Sequence, residues 1–199
     1  SETKEQRRNV AERASEVEAM LSAAAQENGA VIIGGSTPLP APDGRVTNTC
    51  LVFDQSGHRI GRYDKIHLFD VSVSSSESYC ESRHIAPGET PLALSALGLM
   101  MGITICYDMR FPELYRRLAE AGAELFSVPS AFTVPTGQAH WHTLLRARAI
   151  ENLAWVIAPA QVGEHPSGRR TFGHSLIIDP WGEIVAERAA GTGVIFARL

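Results

Sequence analysis

Residues 99–113 read LMMGITICYDMRFPE. Residues 99–105 form an apolar run of strand length, and residues 107–113 are charged and turn-forming, with Pro112 suited to the first position of a helix. Cys106 therefore stands at the carboxyl end of a buried strand and beside a helix N-terminus, where N–H groups and the helix dipole stabilise a thiolate. The pattern is that of a nucleophile elbow. Taken alone, a single cysteine is more simply read as a small buried hydrophobe. Its surroundings have to decide.

Working outward, Leu114, Leu118 and Ala121 give the following helix an apolar face that stops at Gly122. A buried strand over 125–128 and a helix over 138–153 come next. Strands over 155–160, 174–179, 183–187 and 194–197 complete the C-terminal half. Upstream, strands fall near 92–95 and 99–105, and the serine-rich stretch 71–88 is an excursion over the site. Residues 46–53 and 58–63, joined by Asp54-Gln55-Ser56-Gly57, predict a hairpin that leaves Lys65 just past a strand end. A Pro- and Gly-rich loop runs to Gly44, and a strand covers 30–34. Val10, Ala14, Val17, Leu21 and Ala24 share one face of a helix over 3–28, with Thr3-x-x-Gln6 as capping box and Asn28-Gly29 as stop. Short strands with interleaved helices predict an α+β layered sandwich, and the absence of a composition break predicts one domain over 1–199.

The chain has 199 residues, 44% of them hydrophobic, and a formal net charge of −4. Its 18 Lys and Arg are scattered, leaving no electrostatic footprint for nucleic acid or an anionic membrane. No apolar run reaches the roughly 18 residues of a membrane span, and the opening SETKEQRRNV has the wrong composition for a signal peptide. A cytoplasmic protein acting on a small molecule is expected. Cys50, Cys80 and Cys106 are odd in number and lack CxxC spacing, against a disulfide framework or a zinc ribbon. His140 and His142, two apart on a helix, point to different faces, so no metal is expected. Gly34-Gly35 lacks the further glycines of a nucleotide loop, and no cofactor is expected. A Cys–His protease reading would leave Lys65 without a role.

The segment CYDMRFPE at 106–113 resembles the nucleophile motif of the nitrilase superfamily, carbon-nitrogen hydrolases that use a Glu-Lys-Cys triad. GRYDKIHLF at 61–69 matches that family's lysine motif, and the separation of Lys65 from Cys106 suits its Nit branch. SAF at 130–132, AHW at 139–141, LRARAIEN at 145–152, GHS at 173–175 and DPWG at 179–182 resemble the same branch. The resemblance implies a four-layer αββα sandwich and an S-acyl enzyme at Cys106. It implies that Lys65 and the backbone N–H of Tyr107 hold the oxyanion, and that Glu81 is an auxiliary carboxylate orienting Lys65, with Glu77 a weaker candidate by spacing.

The implied substrate is a small linear amide, deaminated glutathione first and 2-oxoglutaramate as its rival. Phe132, Thr133 and residues 164–170 are expected to shape that choice. Arg169 or Arg170 would meet a substrate carboxylate, unless both are simply exposed loop arginines. Asp108, Arg110 and Glu113, like Arg146, Arg148 and Glu151, read as charge networks that fix the elbow and a subunit interface. A homodimer through the helices after the nucleophile and around 138–153 is likewise implied. The family's general-base glutamate would fall a few residues before Ser1, and Glu2 lies too far along to replace it. The expectation is a fragment missing the N-terminal part of the family domain, prone to aggregate through uncovered edges; a non-catalytic binding module is the alternative.

Overall fold

The computed structural model describes residues 4–72 and 78–199; Glu2, Thr3 and Glu77 lie outside the described residues. Helices α1 (Lys4–Glu12) and α2 (Ala14–Asn28) open the chain, followed by β1 (Ile32–Ile33), β2 (Thr37–Pro40), β3 (Val46–Phe53) and β4 (Arg59–Asp64). Three short strands follow, β5 (Asp70–Ser72), β6 (Ser78–Cys80) and β7 (Ile85–Ala86), then the hairpin β8 (Leu92–Ala96) and β9 (Leu99–Ile103). The second half runs α3 (Pro112–Glu120), β10 (Leu125–Ser127), α4 (Val134–Asn152), β11 (Trp155–Ala158), β12 (Val162–Glu164), β13 (Arg170–Phe172), β14 (Ser175–Ile178) and β15 (Ile184–Arg188).

Side-chain alternation along β3 sets the layers. Cys50 and Val52 pack with Tyr63 against Met101, Ile103, Ile105 and Leu125 of the second sheet, while Leu51 and Phe53 turn the other way, onto Ala25 and Leu21 of α2. β3 is therefore buried on both faces, which requires a sheet on one side and helices on the other. The first sheet is built on β3, flanked by β1 and β2 on one side and by β4 and β7 on the other. The second has the order β15-β14-β11-β10-β9-β8. Its outer face carries Phe126, Val156, Ala158, Leu176 and Ile178, packed under Leu114, Leu118, Trp141 and Leu145 of α3 and α4. Gly102 makes that contact possible, since a Cβ there would lie 2.8 Å from Phe126 Cδ1. Helices, sheet, sheet, helices is the αββα sandwich that the resemblance implied.

In the second sheet β9, β10 and β11 are parallel, with α3 and α4 as the crossovers on one face. Their carboxyl ends lie side by side, and loops that leave such ends are where open α/β sheets bind ligands.

The structure differs from the sequence expectations at several elements. The helix over 3–28 is two helices broken at Arg13, so that α1 lies against β2 while α2 covers β3. Gly29 ends α2 in the left-handed region (φ 55°), as expected. Residues 37–40 form a strand despite Pro38 and Pro40, because β2 has β3 on one side only and needs no donors on the other. Helix α4 starts four residues early, at Val134, with the Thr133 hydroxyl accepting from Thr136 N–H and Pro135 in the first turn. Residues 162–172 form a hairpin and not a plain loop. Residues 194–197 form no strand; Phe196 is 84% exposed.

Candidate active site

Cys106 is held in the left-handed region, φ 51°, three residues past the end of β9 and at the start of a 3₁₀ turn over Cys106–Arg110. Its N–H donates to Pro129 O at 3.0 Å, tying the elbow to the loop after β10. An L-residue in this region gives up about 1–2 kcal/mol, and such strain recurs where a side chain must be aimed. Relieving it is testable: Cys106→Gly is expected to be more stable than Cys106→Ala by about 1 kcal/mol in urea unfolding. Equal stability would remove the strain.

Lys65 immediately follows β4 and is only 2% exposed. Its Nζ donates to Glu81 Oε2 at 2.6 Å, and the same oxygen accepts from Phe69 N–H at 2.6 Å. The backbone fixes the lysine at both ends: Lys65 N–H donates to Asn48 O and Lys65 O accepts from Gly88 N–H, each at 2.8 Å. Gly88 can be nothing larger, because a Cβ would come within 2.0 Å of Asp64 O. Asn48 Nδ2 reaches the other oxygen of Glu81 at 3.5 Å. The Lys65–Glu81 contact is present, and Glu81 has two further partners: Phe69, which lies inside the lysine motif, and Asn48, which no motif spacing revealed.

Asp108 joins the two halves of the site. It is fully buried, and its Oδ2 accepts from the Tyr63 hydroxyl at 2.7 Å and from Ile105 N–H at 2.9 Å. Oδ1 accepts from His67 N–H at 3.1 Å and lies 2.8 Å from His67 Nδ1, in position to accept from that ring nitrogen. Burial, reinforced by the Asp108 charge, pushes the Tyr63 hydroxyl pKa far up, so it remains a donor. One carboxylate thereby links the residue before Cys106 to the segment just after Lys65.

Lys65, Glu81 and Cys106 all line one cavity of about 1170 Å³, with Phe132, Thr133 and Arg169 on its other walls. Thr133, the cap of α4, is 1% exposed as a residue, and Phe132 packs against Trp141 with ring centroids 4.9 Å apart. The Tyr107 ring is not among the lining groups; it meets Phe69 edge-on at 5.1 Å, while its backbone follows Cys106 directly. Arg169 and Arg170 separate here: Arg169 enters the cavity, and Arg170, exposed, does not line it. Arg169 lies over the Tyr79 ring at 5.2 Å, and one of its terminal nitrogens donates to Ala131 O at 2.5 Å. Its Nε is buried without a hydrogen-bond partner among the described residues. Of the predicted charge networks, Arg148 pairs with Glu151 and donates to Met109 O at 2.9 Å, while Arg146 donates to Gly182 O at 2.7 Å.

The carbon-nitrogen hydrolase family model matches residues 2–199. A protein of Synechocystis named deaminated glutathione amidase is 43% identical over 190 residues, covering 94% of this chain and 70% of that protein. Among solved structures, the Caenorhabditis elegans NitFhit protein superposes with a TM-score of 0.87 at 37% identity, covering 94% of this chain and 46% of that one. Saccharomyces cerevisiae Nit3, described as a member of the nitrilase superfamily, gives 0.81 at 35% identity, covering 89% of this chain and 62% of that one. The chain therefore spans about half to two-thirds of the length of those two solved relatives. With the family model spanning nearly all of its residues, this chain belongs to the carbon-nitrogen hydrolase family.

Proposed function

We propose that the cavity is the active site of a cysteine amidase that cleaves a small linear amide carrying a carboxylate, deaminated glutathione being the substrate that the relative's name suggests. The observation that carries this reading is that Cys106 and the Lys65–Glu81 pair line one cavity at the carboxyl ends of parallel strands. In the proposed cycle the Cys106 thiolate adds to the amide carbonyl. Lys65 and the Tyr107 N–H hold the oxyanion, the C–N bond breaks, and the amine leaves carrying the proton that the Cys106 thiol gave up. Water then cleaves the S-acyl enzyme to the carboxylic acid and restores the thiol. Oxyanion donors of this kind contribute about 2.7–4 kcal/mol each. Glu81, engaged by Lys65 and Phe69 N–H, serves to orient the lysine.

Arg169 suits the substrate carboxylate, because it lines the cavity with its Nε unpartnered among the described residues, and charged hydrogen bonds contribute about 1.5–3 kcal/mol. Arg169→Met is expected to raise KM about 10- to 100-fold with little change in kcat; an unchanged KM would remove it from substrate binding. The homodimer belongs to the same reading. It is supported by exposed Ile150, Leu153 and Trp181, and sedimentation of the chain tests it. No described helix is long and apolar enough to cross a membrane, and reduced cysteines suit the cytoplasm.

The deciding assay is 2-oxoglutarate release from deaminated glutathione by the 199-residue chain, its Cys106→Ala variant, and a form extended upstream in its own reading frame. Turnover by the 199-residue chain that disappears in Cys106→Ala makes a carboxylate within residues 1–199 the base. Turnover by the extended form alone puts the base outside them. Faster release from 2-oxoglutaramate would assign the alternative substrate, and no turnover in any form would leave a binding module.

A further inference from the structure

Away from the cavity, side chains from three separate segments converge: His142 from α4, His174 from the turn between β13 and β14, and Glu187 from β15. Glu187 Oε1 lies 2.9 Å from His142 Nε2 and 2.6 Å from His174 Nδ1, and the three ligand atoms are all within 4.8 Å of one another. No local spacing announces the set. The sequence argument against metal concerned His140 with His142, and His140 indeed turns elsewhere, to Arg110 at 3.1 Å.

The two imidazoles are held in place before any ligand arrives. His174 stacks on Phe172 with centroids 4.2 Å apart and 22° between planes, and His142 meets His174 edge-on at 5.1 Å. Trp141 Nε1 donates to His174 O at 2.8 Å, fixing its backbone at φ 59°, a left-handed conformation that histidine adopts only where its surroundings impose it. Each of the three side chains is only partly exposed, so solvent reaches the cluster without dissolving it.

We propose that His142, His174 and Glu187 form a site for a divalent transition metal, zinc in the first place, with water as the fourth ligand. Two imidazole nitrogens and one carboxylate oxygen are the donor set that borderline cations such as Zn²⁺ take in open tetrahedral sites. Metal–donor bonds of about 2.0–2.2 Å place tetrahedral donors about 3.3 Å apart. Glu187 then has to withdraw by about half an ångström from each ring nitrogen, and the two nitrogens, within 4.8 Å of each other, settle at the same donor separation. The ion would clasp α4, the crossover helix whose first turn lines the cavity, to the β14–β15 edge of the sheet.

The test is Zn²⁺ titration of the chelator-treated 199-residue chain by calorimetry, with thermal melting alongside and Co²⁺ as a spectroscopic reporter. One ion per chain, a raised Tm, and tetrahedral cobalt bands without thiolate charge transfer are expected. His142→Ala and Glu187→Gln, both at partly exposed positions and checked for folding by circular dichroism, should each weaken Zn²⁺ binding by at least about 100-fold, since losing even an outer partner of a ligand weakens sites 10- to 100-fold. Absence of a one-to-one event, affinity retained in both variants, or a thiolate charge-transfer band would overturn the proposal and leave the cluster a hydrogen-bonded strut.

Discussion

Asp108→Ala is expected to destabilise the fold by about 3–5 kcal/mol, the range seen when one partner of a buried ionic contact is removed. The carboxylate is fully buried and receives the Tyr63 hydroxyl, the backbone N–H groups of Ile105 and His67, and the His67 ring. Each donor stranded in the interior forfeits about 1–3 kcal/mol, and relaxation keeps the total below their sum. Water cannot readily replace the lost acceptor, because Tyr63 is 1% exposed and the His67 ring lies stacked 3.6 Å from Phe111. Asp108→Asn should be milder in stability, since the shape is kept, yet it places an N–H₂ group against groups that all donate. Urea unfolding followed by far-UV circular dichroism measures both, with an unchanged m-value showing that the midpoint shift reports stability. A loss below about 1 kcal/mol for Asp108→Ala would mean that the four contacts do not act together. Because Ile105 precedes Cys106 and His67 follows Lys65 by two residues, even the Asn variant should lose more activity than stability.

That hub shows where reading the sequence stops. Asp108 was expected to fix the elbow, and it does, but Tyr63 and His67 reach it across the interface between the two sheets, a relation that no local pattern encodes. Signals carried by neighbours in sequence were legible. The 46–64 hairpin follows from the apolar run at 50–53 and from Asp54, whose carboxylate accepts from the N–H groups of Ser56 and His58 around Gly57. The elbow follows from an apolar run interrupted before Pro112. Signals that depend on a partner were misread. Residues 194–197 have the composition of a strand, yet β15 is followed by no described strand beside it, and Val194 and Phe196 stay exposed. Residues 37–40 look like a loop because of two prolines, and they become a strand because β3 supplies a ladder on one side. In the candidate site, the family motifs single out Lys65, Glu81 and Cys106, which the fold brings to one cavity. The choice of Arg169 over Arg170 was not, since it depends on which face of β13 and its preceding turn looks into the cavity.

Lys65→Met is expected to lower kcat by about 10²- to 10³-fold while leaving KM within a few-fold, the signature of a donor whose contact strengthens as the oxyanion forms. Methionine preserves most of the stem's volume, so the substitution removes charge and donors from a residue that is 2% exposed without opening a large void. Glu81 keeps the Phe69 N–H at 2.6 Å and its side chain is 15% exposed, so the stability loss should stay near 1–3 kcal/mol, below that of a fully buried pair. Two readouts separate electrostatics from misfolding. Alkylation of Cys106 by iodoacetamide needs no turnover, and it should slow in Lys65→Met because the cavity that Cys106 lines loses a buried ammonium. Glu81→Gln supplies the contrast: its amide oxygen still accepts from Lys65 and Phe69, so the lysine stays aimed and kcat should fall less than in Lys65→Met. If Lys65→Met kept kcat within fivefold of the parent, or if its loss merely tracked a lowered Tm, the ammonium would be a structural cation. The oxyanion would then rest on backbone N–H groups alone. The Cys106→Ala chain sets the floor against which either result is read, because in the proposed cycle no acyl enzyme forms without the thiol and only uncatalysed hydrolysis remains.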